Sequence, residues 1–261
     1  MNTITIFMPV SRATYLDRIF AALELMECDA EYTNLLVIVD GDAKLFVDVR
    51  NRVEMSRFAN RLCLQFKSKH VLRQFSIQER RLRISDIHNM AKENIQPCDY
   101  VFGIEDDTII PTDALKKLMR AYGQYPFAGF IEGIEMGRWG IPYIGAWTVD
   151  DIYSPTKIQS TPLKKGIQEI DSGGFYCFIT KYDLYKNHMF KPYGENGSND
   201  LGPDVDYGLA LRQIGLLNYA DYSIQCAHMK KDEMLTFKNT DPRIVTFTKK
   251  ENRWRQMNTQ A

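Results

Sequence analysis

The sequence predicts an α/β fold: a mostly parallel sheet flanked by helices, with a mixed, loop-rich second half. Three observations predict it. In the first 110 residues, short continuous apolar runs alternate with stretches whose apolar residues recur at helical spacing. Strands buried on both faces read as such runs, and the sheet they form is parallel and covered by helices. Polar residues sit just beyond the runs, and after about Gly123 the alternation gives way to a glycine- and aromatic-rich stretch.

Ile4 to Pro9 (ITIFMP) is the first strand, and Leu16, Ile19, Phe20 and Leu23 mark the helix after it. Asn34 to Asp42 (NLLVIVDGD) is the second strand, with an acidic end. Val49, Val53, Phe58 and Leu62 space a basic helix, Val71 to Ile77 (VLRQFSI) is the third strand, and Ile84, Ile87, Ala91 and Ile95 space a third helix. Asp99 to Asp107 (DYVFGIEDD) is the fourth strand. A helix is expected from near Thr112 to Gly123, and strands or loops over AGFIEGIEMGRWGIPYIGAWTV. Asp150 to Gly166, polar and carrying Pro155 and Pro162, reads as a mobile surface loop. A strand over Gly174 to Thr180, a Gly/Asn-rich loop over Tyr193 to Pro203 and a helix from about Asp204 to Ile214 follow, with Gly215 at its end.

The 261 residues are 44% hydrophobic and 25% charged, which excludes a disordered or fibrous chain. Lys plus Arg and Asp plus Glu both count 33, so the net charge is zero. Bulk charge therefore gives no support to a nucleic-acid or anionic-membrane binder. The exception is local: Arg50 to Lys92 carries eleven Lys/Arg against three acids, a net +8. A solvated helix face is the default for it, with an acidic acceptor such as DNA, or an anionic lipid surface, the minor alternative. Five scattered cysteines with no CxxC pair suggest reduced thiols rather than a disulfide framework. The opening residues meet charge too early for a secretory signal, and no apolar run approaches the roughly 18 residues of a membrane span. A soluble protein of the cytoplasm is expected.

In open parallel sheets ligands bind beyond the carboxyl ends of the strands. Here those ends carry Ser11 and Arg12, Asp40 and Asp42, and Glu105 to Asp107, which should converge on one crevice. Adjacent carboxylates repel unless solvent, a cation or a partner charge neutralises them. Mg²⁺ or Mn²⁺ does this with oxygen ligands while leaving room for phosphate. Strand alternation would turn Glu105 and Asp107 to one side and Asp106 to the other. A solvated acidic turn is the plain alternative. Downstream, Asp204 and Asp206 begin a helix, where carboxylates either serve the dipole or offer a general base. Ser172-Gly173-Gly174 precedes a strand and permits close approach of a ligand.

The segments PVSRATYLDRI, VIVDGD, the HNMA stretch, IEDDTIIP, SGGFYCFITKYDLY and DVDYGLALRQIG, in this order, resemble the GT-A fold of nucleotide-sugar glycosyltransferases, especially the family 2 type. The resemblance spans about residues 4 to 228 of the 261. With no internal repeat and no clear linker, the chain reads as a single domain over 1–261, with a nucleotide-binding half (1–110), an acceptor half (111–228) and a basic tail (229–261). The resemblance implies that Pro9, Val10 and Ser11 line the nucleobase pocket, Asp40 holds the base, and Asp106 approaches the ribose or donor sugar. Arg81 would face the donor's diphosphate, although His88-Asn89 stands where the family often has Arg-Asn. Asp107 would bind the metal with His228, and Asp204 would be the catalytic base, with Pro203 where the family usually has Glu. Trp139 and Trp147 are candidates for stacking on a sugar or base, with core packing as the alternative.

The activity so implied is a Mn²⁺- or Mg²⁺-dependent, inverting transfer of a hexosyl or N-acetylhexosaminyl group. The donor is a nucleoside-diphosphate sugar, UDP first, and the acceptor is a hydroxyl of a glycan, protein or other molecule. The rivals are a sugar nucleotidyltransferase, disfavoured by the lack of glycine in the loop after the first strand, and a glycan-binding protein on the same frame. At least one of two segments, Asp150 to Gly166 and the tail from Met229 to Ala261, is expected to be mobile without donor and to close over the diphosphate, with an ordinary loop and frayed terminus as the alternative.

Overall fold

The computed structural model describes residues 2–67, 77–137, 142–191, 202–230, 233–238, 242–250 and 253–257. The first half runs β1 (Ile4–Val10), α1 (Leu16–Leu25), β2 (Thr33–Val39), α2 (Ala43–Met55), β3 (Arg61–Gln65), α3 (Ile77–Asn94), β4 (Tyr100–Ile104), β5 (Thr108–Ile109) and α4 (Ala114–Gln124). Then come β6 (Ala128–Ile134), β7 (Met136–Gly137), β8 (Tyr143–Ile144), β9 (Trp147–Val149), β10 (Lys157–Ser160), β11 (Ile167–Ile170), β12 (Cys177–Lys181) and α5 (Tyr182–Asn187). The chain continues through α6 (Pro203–Gln213), β13 (Leu217–Gln225), β14 (Ala227–Lys230), β15 (Glu233–Leu235), β16 (Thr246–Lys250) and β17 (Arg253–Met257).

The main sheet has the strand order β11-β13-β6-β12-β4-β1-β2-β3. Strands β3, β2, β1 and β4 are mutually parallel, whereas β12 is antiparallel to both neighbours and β11 antiparallel to β13. On one face Ile6, Met8, Leu35 and Val37 pack with α1, α2 and α4; on the other Phe7, Leu36 and Ile38 pack with α3, α5 and α6. Burial on both faces is why β1 and β2 are unbroken apolar runs.

Two assignments change. The basic helix ends at Met55, and Leu62 belongs to the third strand, β3, rather than to that helix. As an edge strand β3 is half exposed, so it lacks a continuous apolar run, and Leu62, four residues after Phe58, extends the helical spacing by coincidence. The strand expected over Val71–Ile77 lies outside the described residues except for Ile77, which begins α3. Asp150 to Gly166 is not loop throughout. Within it β10 buries Ile158 and Ser160 and pairs with β9 on one side and β16 of the tail on the other. That pairing joins the two segments expected to form a lid into one four-stranded sheet, β17-β16-β10-β9. Val245, Ile158 and Trp147 in and beside it pack on Val205 and Leu209 of α6. Gly215 follows α6 at φ +86°, a left-handed conformation that suits glycine. The loop expected over Tyr193–Pro203 lies almost wholly outside the described residues. No helix among the described residues is long and apolar enough to cross a membrane.

Candidate active site

Central strand β4 carries the acids to the crevice. Beyond Ile104 the chain leaves the sheet, so Asp106 and Asp107 lie in a turn and strand alternation does not separate them. Both meet Arg12, from the loop after the adjacent strand β1. Its Nη2 is 2.6 Å from Asp106 Oδ1 and its Nη1 2.8 Å from Asp107 Oδ2. Asp106 Oδ2 accepts from Ser11 N (2.6 Å), Ser11 Oγ (3.1 Å) and Arg12 N (3.0 Å). The buried Asp106 carboxylate thus clasps the end of β1, and a ribose contact there would require exchange of these bonds.

After the turn, β5 pairs with β14, setting His228 opposite Thr108, and Met229 N donates to Asp107 O at 2.7 Å. This register brings His228 Nε2 to 3.4 Å from Asp107 Oδ2. The other ring nitrogen, Nδ1, is 2.8 Å from Glu135 Oε1 and 2.7 Å from Met136 O. Thr108 Oγ1 donates to the second Glu135 oxygen. Burial alone would lower the His228 pKa, but Glu135 and Asp107 outweigh it and raise it to about 10. Burial, then Asp107 and Glu135, push Glu105 up to about 8. Burial also raises Asp106, an effect partly opposed by Arg12.

Asp204 is the second residue of α6. Burial raises its pKa, while the Val205 N–H and the charge of Arg81 hold part of that rise back. Asp204, His228, Glu105, Glu135, Trp147 and Phe175 line one cleft of about 160 Å³. Its floor includes Gly174, whose N–H donates to the buried Glu132 carboxylate at 2.9 Å. A Cβ on Gly173 would come within 1.9 Å of that carboxylate, so the glycine permits the close approach.

The other expected residues divide. Pro9, Val10 and Ser11 close β1, and Asp40 N donates to Val10 O at 2.7 Å. The Asp40 carboxylate pairs with Arg83, whereas Arg81 acts on Asp204 through its charge. His88-Asn89 faces inward: His88 bonds Tyr185 and stacks on Phe175, and Asn89 exchanges two hydrogen bonds with Phe190. Trp147 lines the cleft while packing on Tyr143 and Phe247; Trp139 lies outside the described residues. Asp206 pairs with His188 at 3.3 Å instead of entering the cleft lining.

Among the described residues no group of three or more His, Cys, Asp or Glu converges as a metal cage. The pair Asp107 and His228 nevertheless fits a divalent ion of the Mg²⁺ or Mn²⁺ type, which takes few protein ligands and leaves positions for water and phosphate. The contacts of Glu135 and Met136 O with the far nitrogen of His228 are the arrangement that orients a metal-ligating imidazole.

No family model and no curated protein matches the chain. Its fold is similar to that of the solved structure of GalNAc-T7 with UDP, GalNAc and Mn²⁺, with a TM-score of 0.61, 11% identity and coverage of 89% of this chain and 44% of that one. It is also similar to S. aureus TarS 1–349, with a TM-score of 0.54, 11% identity and coverage of 84% and 60%. The chain has the GT-A fold. It spans less than two thirds of the length of either GT-A neighbour.

Within the GT-A frame, the sequence pointed to Arg12 only as a polar strand end and did not single out Glu135. Arg12 is 94 residues from Asp106, and Glu135 is 93 from His228; contacts of that range leave no local spacing to read. The available signal for Glu135 was its place directly after β6, a strand that is apolar or glycine except for Glu132.

Proposed function

We propose that the chain is a metal-dependent, inverting glycosyltransferase. It would move a hexosyl or N-acetylhexosaminyl group from a nucleoside-diphosphate sugar, a UDP-sugar first, to a hydroxyl of a glycan, protein or other acceptor. The observation that carries this reading is the meeting of His228, backed by Asp107, with Asp204 in one cleft of a GT-A fold. The neighbour bound to UDP, GalNAc and Mn²⁺ supports the donor and the cation.

Asp107 and His228 would hold Mn²⁺ or Mg²⁺, which when bound neutralises charge on the departing diphosphate. The rest of the chemistry belongs to the chain. Asp204 takes the proton of the acceptor hydroxyl, whose oxygen attacks the anomeric carbon opposite the leaving group and inverts it. Its raised proton affinity suits a base, and Arg81 and the Val205 N–H limit that rise. The ends of β1 and β2, with Pro9, Val10, Ser11 and Asp40, hold the base, while Asp106 secures the β1 loop. Residues 1–110 then form the nucleotide half, 111–228 the acceptor half, and the tail backs α6. Five free thiols support a reducing compartment, the cytoplasm.

The test is Asp204→Asn. It should retain UDP binding and lose about 10²- to 10⁴-fold in transfer rate, the usual contribution of a general base. Wild-type transfer by that variant would refute the base assignment.

A further inference from the structure

We propose that Arg12 is the counter-cation that a divalent metal displaces from Asp107, and that the freed guanidinium then grips the donor's diphosphate. The inference rests on the metal-dependent reading above and gives Arg12 two successive partners in it.

Four observations support it. Arg12 Nη1 lies 2.8 Å from Asp107 Oδ2, the same oxygen that faces His228 Nε2 at 3.4 Å. Guanidinium and metal therefore compete for one oxygen. Secondly, Asp106 holds the β1 loop through Ser11 N, Ser11 Oγ and Arg12 N, so the loop keeps its anchor when the Arg12 side chain swings away. Thirdly, the Arg12 side chain is 35% exposed, whereas those of Asp106 and Asp107 are 5% and 0% exposed; of the three, the cation is the group with room to move. Fourthly, Arg12 Nε is buried and has no hydrogen-bond acceptor among the described residues.

The chemistry gives a direction to the exchange. Without metal, Glu105, Asp106, Asp107 and Glu135 crowd this end of the sheet, and Arg12 is a cation placed directly on two of them. A divalent ion on Asp107 supplies more charge and repels the guanidinium beside it. The diphosphate then enters as the nearest new anion. A planar fork of N–H donors matches phosphate oxygens two at a time, which a point charge cannot do.

The two roles demand opposite signs from one substitution. Calorimetry on the purified full chain would titrate Mn²⁺ alone, and then UDP at saturating Mn²⁺. Arg12→Gln should bind Mn²⁺ about tenfold more tightly than wild type, because a competitor is gone, and UDP about tenfold more weakly, because a donor fork is gone. Arg12→Lys, which keeps the charge and tolerates the acidic surroundings, should show smaller changes of the same signs. Melting curves establish that each variant is folded. Unchanged or weaker Mn²⁺ binding in Arg12→Gln would overturn the displacement, and unchanged UDP binding would overturn the second role. If wild type and variants alike bind no Mn²⁺, the metal-dependent reading falls and this inference with it.

Discussion

His88 should make the protein acid-sensitive, and the size of the effect follows from its surroundings. The ring is 1% exposed on α3, with Nδ1 2.9 Å from Tyr185 Oη. It stacks on Phe175 at 4.1 Å between centroids and meets Phe7 edge-on at 5.0 Å. Burial, and secondarily the charge of His188, pull its pKa from 6.5 down to about 3. Between those values the unfolded chain binds the proton and the folded chain does not, so stability is lost as pH falls through 6.5 toward 3. From pH 7 to pH 5 the loss should be about 2 kcal/mol, within the limit of about 1.4 kcal/mol per pH unit for one proton. Replacing His88 by Phe removes the titrating group. It also strips Tyr185 of its partner, at about 1–3 kcal/mol at every pH. Urea unfolding of both proteins at pH 7 and pH 5 separates the two effects, because the loss of the Tyr185 partner is the same at both pH values whereas the proton taken up by His88 is not. His88→Phe should lose about 2 kcal/mol less than wild type over that interval. Equal losses would refute the argument that burial holds His88 neutral.

Arg81→Gln should raise the pKa of Asp204, since the Arg81 charge favours the carboxylate; the acid limb of kcat/KM for transfer should then move to higher pH, read from a pH–rate profile against wild type. Glu135→Gln removes the charge that most raises the proton affinity of His228, so Mn²⁺ binding should set in at lower pH than in wild type, measured by calorimetry across pH. Because His228 is raised to about 10, it is protonated near neutrality and must release its proton to bind a metal. Mn²⁺ affinity should therefore climb as pH rises toward 10, and titrations in buffers of different ionisation enthalpy should show proton release that His228→Ala abolishes.

How far the sequence could be read depended on whether a signal was local. Strands β1, β2 and β4 stood out because both their faces are buried, which forces consecutive apolar residues. Edge strand β3 and the four-residue β10 did not, since exposure interrupts their pattern and pairing with distant strands creates them. The acidic turn and Asp204 were visible as polar residues at element ends, and His228 through the family resemblance. Their mutual geometry was not, because it depends on the β5–β14 register, on Arg12 spanning two acids and on Glu135 reaching His228. His88 shows the converse: it stands where the family often has the Arg of an Arg-Asn pair, and packing turns it into the core against Phe175 and Tyr185. Helical spacing gave α3 its buried side, yet the same arithmetic could not tell a histidine facing the core from one facing a ligand.

The claim that this GT-A chain binds a nucleoside-diphosphate sugar through a metal is tested most directly by melting the protein with nucleoside diphosphates, with and without Mn²⁺. A ligand that binds only the folded state at a hundred times its dissociation constant adds about 2.7 kcal/mol of stability. For a chain of this size that corresponds to a rise of roughly 5–10 °C. UDP with Mn²⁺ should give such a rise, UDP alone a smaller one, and Asp107→Asn should abolish the dependence on Mn²⁺. If no nucleoside diphosphate moves the melting point with the metal present, the account is contradicted.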